Sequence, residues 1–236
     1  MCIFTTNTRV ENTKIFARRQ GQKQWLVYEM KYDSYRLSTA MILPVPGESE
    51  TIEFLNLENY KDFFDQLQKP AEARGFSKGL SLDVVNVGNF IATIIPSMDD
   101  WNRVDPQFTL DSKVWESDIL KEYTKGYSFV VFQLSERSNK PHPMAFTFNS
   151  NLDELYIPTV HVHDGEVKDL ERYDHEIYTQ GTINPPHREW ILEDYRAKYL
   201  EYPGLIGDIV DLNSPIHYNP LKGLIINKDW NQELSF

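Results

Sequence analysis

The chain has 236 residues, 41% of them hydrophobic and 13% aromatic, enough for a sizeable core and too apolar for disorder over most of its length. A formal charge of −11 with no dense Lys/Arg block offers nothing to a phosphate backbone, which argues against nucleic acid as a partner. No apolar run approaches the ~20 residues that cross a bilayer and no leader pattern opens the chain, so neither a membrane nor a secretory route is expected and the default setting is cytoplasmic.

In chain order, residues 2–9, 14–19 and 24–32 read as strands, the last two joined by a turn at Gln20-Gly21-Gln22. Residues 40–45 form a short apolar strand ended by Pro46-Gly47, and 51–55 another. Residues 58–67 place Tyr60, Phe63, Phe64 and Leu67 at helical spacing, with Asn56 as cap and Pro70 as stop. Strands over 80–87 and 89–95 meet at Gly88, and a weak helical pattern covers 112–124. The second half repeats the strand pattern at 127–134, 142–148, 155–162 and 173–180, followed by a helix over 186–201. Residues 205–236, with Pro215 and Pro220 and little periodicity, read as a loop-rich wrap. Trp25 to Met30 and Ala40-Met41 recur at one constant offset as Phe129 to Leu134 and Met144-Ala145, so similar hairpins are expected at 25–45 and 129–149, one in each of two facing sheets. The fold class expected is therefore α+β, β-rich and mostly antiparallel, a single domain over 1–236 with two stacked sheets and a few flanking helices.

The only cysteine is Cys2. Removal of Met1 would leave a thiol beside a free α-amine whose ordinary pKa of about 7.7–8.0 suits a base working near neutrality. The plain alternative is a small buried hydrophobe in an edge strand. A strand, a turn and an antiparallel return would bring Arg18 beside residue 2, where a guanidinium favours thiolate. One cysteine permits no internal disulfide and no multi-cysteine zinc motif.

Met1-Cys2 followed by Ile15-Phe16-Ala17-Arg18 resembles the opening of the choloylglycine hydrolase and penicillin V acylase family, whose members begin Met-Cys and carry Phe-Gly-Arg at the end of a second strand. The resemblance implies an N-terminal-nucleophile amidohydrolase with a four-layer αββα fold, Cys2 attacking an amide carbonyl and Arg18 supporting nucleophile and substrate. Where the family has an aspartate three positions beyond the arginine, this chain has Gly21. Asn86 and Asn89 are the candidates for stabilising an oxyanion. Ala40 to Pro44, His142 to Phe146 and Pro158 to Gly165 also resemble an uncharacterised bacterial family beginning Met-Cys, which implies no activity.

His161 and His163 share one face of a strand, and Asp164-Gly165 turns the chain after them. If 149–154 closes a hairpin, His142 lies opposite His161, and three imidazoles, completed by Asp164 or His175, would suit Zn, Fe or Mn. Such pairs also occur without metal, hydrogen-bonded to neighbouring carbonyls. His187 and His217 have no evident partner and read as structural. No phosphate-binding glycine loop, Gly-x-Ser-x-Gly elbow or His-Glu-x-x-His pair is present.

The leading expectation is an amidohydrolase acting on a small-molecule amide through Cys2 and Arg18, with no cofactor. One alternative is a metal-binding protein or metal-dependent enzyme using the histidines with a divalent cation. The other is a non-enzymatic structural or binding module.

Overall fold

In the computed structural model, residues 2–68, 86–87, 90–134, 136, 138–181, 191–196 and 208–232 are described. Strands β1 (Cys2–Phe4), β2 (Thr8–Gln20), β3 (Lys23–Ser34), β4 (Thr39–Val45) and β5 (Glu53–Asn56) precede helix α1 (Phe63–Gln68). Strands β6 (Asn86–Val87) and β7 (Phe90–Ile95), helix α2 (Ser112–Trp115), β8 (Ser128–Leu134), β9 (Ser138–Asn139) and β10 (Met144–Asn149) follow. The chain continues through β11 (Leu155–Ile157), β12 (His161–Val162), β13 (Leu170–Gln180), β14 (Ile191–Arg196), β15 (Pro215–Ile226) and β16 (Trp230–Gln232).

The longest local motif is the β2–β3 hairpin. Gln20 pairs with Lys23 across a two-residue turn, and Gly21 has φ +62°. A positive φ at the first central position is the type II′ geometry that matches strand twist, and glycine adopts it without steric cost.

The strands build a six-stranded sheet in the order β12-β1-β4-β8-β7-β6 and an eight-stranded sheet in the order β14-β15-β13-β2-β3-β10-β5, with β9 paired to β3; β11 and β16 form a separate pair. Most ladders are antiparallel, but β1–β12 and β2–β13 are parallel, so both large sheets are mixed. Strand alternation sorts the eight-stranded sheet's side chains into two layers. Ile15, Ala17, Leu26, Tyr28, Met144, Phe146 and Ile177 join a core shared with Ile3, Met41, Ile42 and Phe129 to Phe132 of the six-stranded sheet. Phe16, Val27, Ala145 and Tyr178, the residues between them, point to the opposite face and meet Phe63, Phe64 and Leu67 of α1. Each of the larger of these side chains, once buried, contributes about 1.5–3 kcal/mol, so both layers anchor the sheet. The β-rich α+β class is thus as expected from the strand pattern.

Several expectations need correction. The similar segments 25–45 and 129–149 do not form two hairpins: β3 pairs β10 and β4 pairs β8, so each segment passes from one sheet to the other and pairs with its counterpart. The expected strand 155–162 is broken at Pro158 into β11, which pairs β16, and β12, which pairs β1. The helix over 58–67 begins only at Phe63; Asn56 accepts a hydrogen bond from the Glu58 amide in a local turn instead of capping it. The pattern over 112–124 resolves into α2 and a separate 3₁₀ turn at Leu120–Thr124. Of the helix expected over 186–201, residues 191–196 are strand β14, held by pairing with β15, and the remainder lies outside the described residues. The supposed loop-rich tail contains the twelve-residue β15, whose ladder to β13 runs from Leu170↔Ile226 to Thr179↔His217. Residues 80–85, 88 and 89 of the expected strand pair also lie outside the described residues.

Candidate functional site

The residues expected to form an amidase centre are not brought together. Cys2 starts β1, whose neighbours are β4 and β12, whereas Arg18 belongs to β2 in the other sheet. Arg18 is occupied there: its guanidinium lies 4.5 Å over the Trp25 ring and donates to the carbonyls of Asp208 and Ile209, both at 3.2 Å. Burial pulls its pKa below the ordinary arginine value, with Asp211 opposing. The antiparallel return expected of residues 14–19 is made with β3, not β1, because the two-residue turn at Gly21 pairs β2 with its immediate successor. Asn86 lies in β6 at the far end of the six-stranded sheet; four inter-strand spacings of ~4.8 Å separate its strand from β1 by roughly 19 Å, beyond reach of an oxyanion at Cys2. Asn89 lies outside the described residues.

The histidines divide. His142 precedes β10, sits against the Phe90 ring at 4.9 Å and has its Nδ1 2.9 Å from the Pro143 carbonyl; it does not oppose His161, because β10 and β12 belong to different sheets. Asp164 turns outward to a 2.6 Å contact with Lys168 Nζ and accepts the Glu166 amide. His217 is buried within β15, and His187 lies outside the described residues.

His161, His163 and His175 do meet. The period of two places the rings of His161 and His163 on one side, stacked at 4.7 Å and 22°. From β13 in the other sheet, His175 presents its Nε2 to Nε2 of His161 at 3.0 Å, and Tyr173 lies 4.4 Å from the His161 ring. The backbone of His161 is flanked on both edges. Its strand partner is Cys2, and on the other edge the Asn227 amide accepts from His161 N–H at 2.7 Å and donates to His161 C=O at 2.9 Å, standing in for a neighbouring strand. Tyr173 Oη also donates to Asn227 Oδ1, and Asn227 Nδ2 reaches the Lys168 carbonyl. Sequence reasoning overlooked Tyr173 and Asn227; an isolated asparagine carries no sign that it will mimic a strand.

Burial governs the titration of this corner. His163 and His175 are pushed down to about 4, chiefly by desolvation, and His161 is lowered further by desolvation and then by His175. At neutral pH all three are uncharged and weakly basic, so they are poor proton acceptors for catalysis. Among the described residues no three His, Cys, Asp or Glu side chains are disposed to hold an ion. A cavity of about 400 Å³ opens beside them, lined in part by Arg9, Glu11, Thr13, His163 and Arg172. Among the described residues no helix is long and apolar enough to cross a membrane.

No family model matches the chain, and no curated protein does. Solved structures of one protein share its fold. The crystal structure of baculovirus P35 matches with a TM-score of 0.54 at 15% identity, covering 100% of both chains. The crystal structure of the caspase-8/P35 complex matches with a TM-score of 0.50 at 13% identity, over 95% of this chain and 96% of that one. These likenesses overturn the expected hydrolase and its small-molecule substrate, since they direct the functional comparison to a protein seen bound to another protein. At such identities the kinship is one of fold, and it runs through the whole length of the chain.

Proposed function

We propose that this chain acts by binding, and that it engages a cysteine protease of the caspase type as an inhibitor. The observation that supports the reading is the full-length likeness to P35, a protein crystallised in complex with caspase-8. The interior agrees with it. Cys2 and Arg18 belong to different sheets, with Arg18 engaged by Trp25 and the Asp208 and Ile209 carbonyls, and the histidine cluster among the described residues is buried and neutral. A folded protein that occupies a protease without being turned over withholds that protease from its substrates.

The test is direct. Purified protein is titrated into active caspase-8, hydrolysis of a fluorogenic peptide is followed, and the mixture is run by size exclusion. Dose-dependent loss of peptidase activity with co-elution of the two proteins is expected. Undiminished hydrolysis and separate elution at large molar excess would refute the proposal.

A further inference from the structure

The contact between His161 and His175 joins the two large sheets at one corner: His161 is on β12, the edge of the six-stranded sheet, and His175 is on β13 of the eight-stranded sheet. Their Nε2 atoms are 3.0 Å apart, so one must donate and the other accept. A neutral pair satisfies this only with opposite tautomers. His175 Nδ1 lies 3.6 Å from Asp174 Oδ1 and has no hydrogen-bond partner among the described residues. The geometry therefore favours a proton on His175 Nδ1, turned toward Asp174, leaving its Nε2 lone pair to accept from His161 Nε2–H.

A further proton is costly at every ring of the corner, including His163, whose ring stacks on His161 at 4.7 Å and whose buried Nε2 has no hydrogen-bond partner among the described residues. Placed on His175 it turns the shared contact into two N–H groups facing each other, and placed on His161 it leaves a cation in a site 4% exposed. The surrounding charges offset that cost only in part. Asp174, whose Oδ1 lies 3.6 Å from His175 Nδ1, favours a charged ring but is outweighed by burial, its Oδ2 accepts the Asn12 amide at 2.7 Å, and Asp164 is held by Lys168. On the cavity wall Glu11 pairs with Arg9, and Glu171 lies 3.7 Å from Lys168. Besides the ring contact, the corner is held by the Asn227 carboxamide on the His161 backbone and by the Thr8 amide on the His163 carbonyl; β12 itself has only two residues, and β1, its partner through Cys2↔His161 and Ile3↔Val162, has three.

We propose that the His161–His175 pair is a proton-operated latch: protonation of the pair parts β12, and β1 with it, from the eight-stranded sheet, and deprotonation closes it again. The latch is independent of the protease-binding reading, and it adds acid as a signal to which the N-terminal strand responds.

Amide hydrogen exchange at pH 7.5 and pH 4.5, corrected for the intrinsic pH dependence of exchange, tests it. Protection at Ile3, Phe4 and Val162 should fall at least tenfold at the lower pH while the β3–β10 ladder stays protected. At pH 7.5 the imidazole nitrogen shifts should show opposite tautomers for the two rings. In the double variant His161→Phe, His175→Phe, which keeps the aromatic volume and admits no proton, protection at those amides should change less than threefold. Equal protection of the wild type at both pH values, an equal loss in the double variant, or metal-coordinated nitrogen shifts at pH 7.5 would each overturn the proposal. Should the double variant fail to fold, the wild type decides: the imidazole shifts must move at the pH where protection is lost, and movement at a different pH refutes the latch.

Discussion

A single carboxylate, Asp229, organises more of the chain than any residue singled out for chemistry. It accepts from Tyr123 Oη at 2.6 Å, Tyr156 Oη at 2.8 Å, and the amides of Thr159 and Val160 at 2.8 and 3.0 Å. Those donors lie on three separate segments, so one side chain fixes the approach to β12. Asp229→Ala strands two phenols and two amides together; at about 1–3 kcal/mol for each buried group left unpaired, a loss of about 3 kcal/mol or more in urea unfolding is expected. Tyr123→Phe removes one donor and leaves Asp229 three others, so about 1–2 kcal/mol is the expected cost. A double-mutant cycle reads their coupling. The histidines set a second expectation. Their folded pKa values lie below the unfolded value near 6.5, so between about 4 and 6.5 the unfolded chain binds more protons. Stability should fall as pH drops through that window, by a few kcal/mol over the cluster at ~1.4 kcal/mol per pKa unit. Urea midpoints at pH 7.5, 6.0 and 4.5 check this, and a flat profile would contradict it. From the residues alone, the shared side of His161 and His163 was legible because period two dictates it. Their partner was not, because His175 arrives from the other sheet and no local pattern records which strands will face each other.

Elements were legible where alternation was clean. The strands at 24–32, 40–45 and 127–134 appear close to their expected places as β3, β4 and β8. Alternation failed in β15, where Pro215, Pro220 and Gly223 interrupt the apolar pattern although the strand pairs along most of β13. It failed also in β14, whose residues carry no strand signal of their own and are extended because β15 lies beside them. Where β13 ends, Gly181 has φ +87°, and a Cβ there would lie 2.3 Å from the Arg19 carbonyl oxygen. The parallel β13–β2 ladder thus closes on a position where both the backbone angle and the neighbouring strand exclude a side chain. Gly181→Ala should cost about 2–3 kcal/mol in thermal or urea unfolding and lower protection of the Gln180↔Arg18 end of the ladder. A cost below ~0.5 kcal/mol would mean that this junction yields easily.

The molecule as a whole is built by interleaving. In the six-stranded sheet β8 and β12 come from the second half of the chain and β1, β4, β6 and β7 from the first; in the eight-stranded sheet β2 lies between β3 and β13. Neither half can complete either sheet. Unfolding should therefore be a single cooperative transition, with calorimetric and van't Hoff enthalpies in agreement. Fragments 1–111 and 112–236 should be unfolded apart and regain β-structure when mixed, as circular dichroism would show. The repeat at 25–45 and 129–149 was visible as apolar similarity, but pairing between its copies was not, because a strand's pattern states which face is buried and not which neighbour it will find. The same interleaving bears on synthesis. The β2–β3 hairpin is complete at Ser34, whereas its parallel neighbour β13 begins only at Leu170. At ribosomal rates of ~5–20 residues per second that interval is on the order of ten seconds, during which the edge of β2 is unpaired on the nascent chain and open to other strands. Retaining that edge until its partner emerges is a task for whatever the ribosome exit holds nearby, and a chaperone that binds extended apolar segments would find one at residues 15–17.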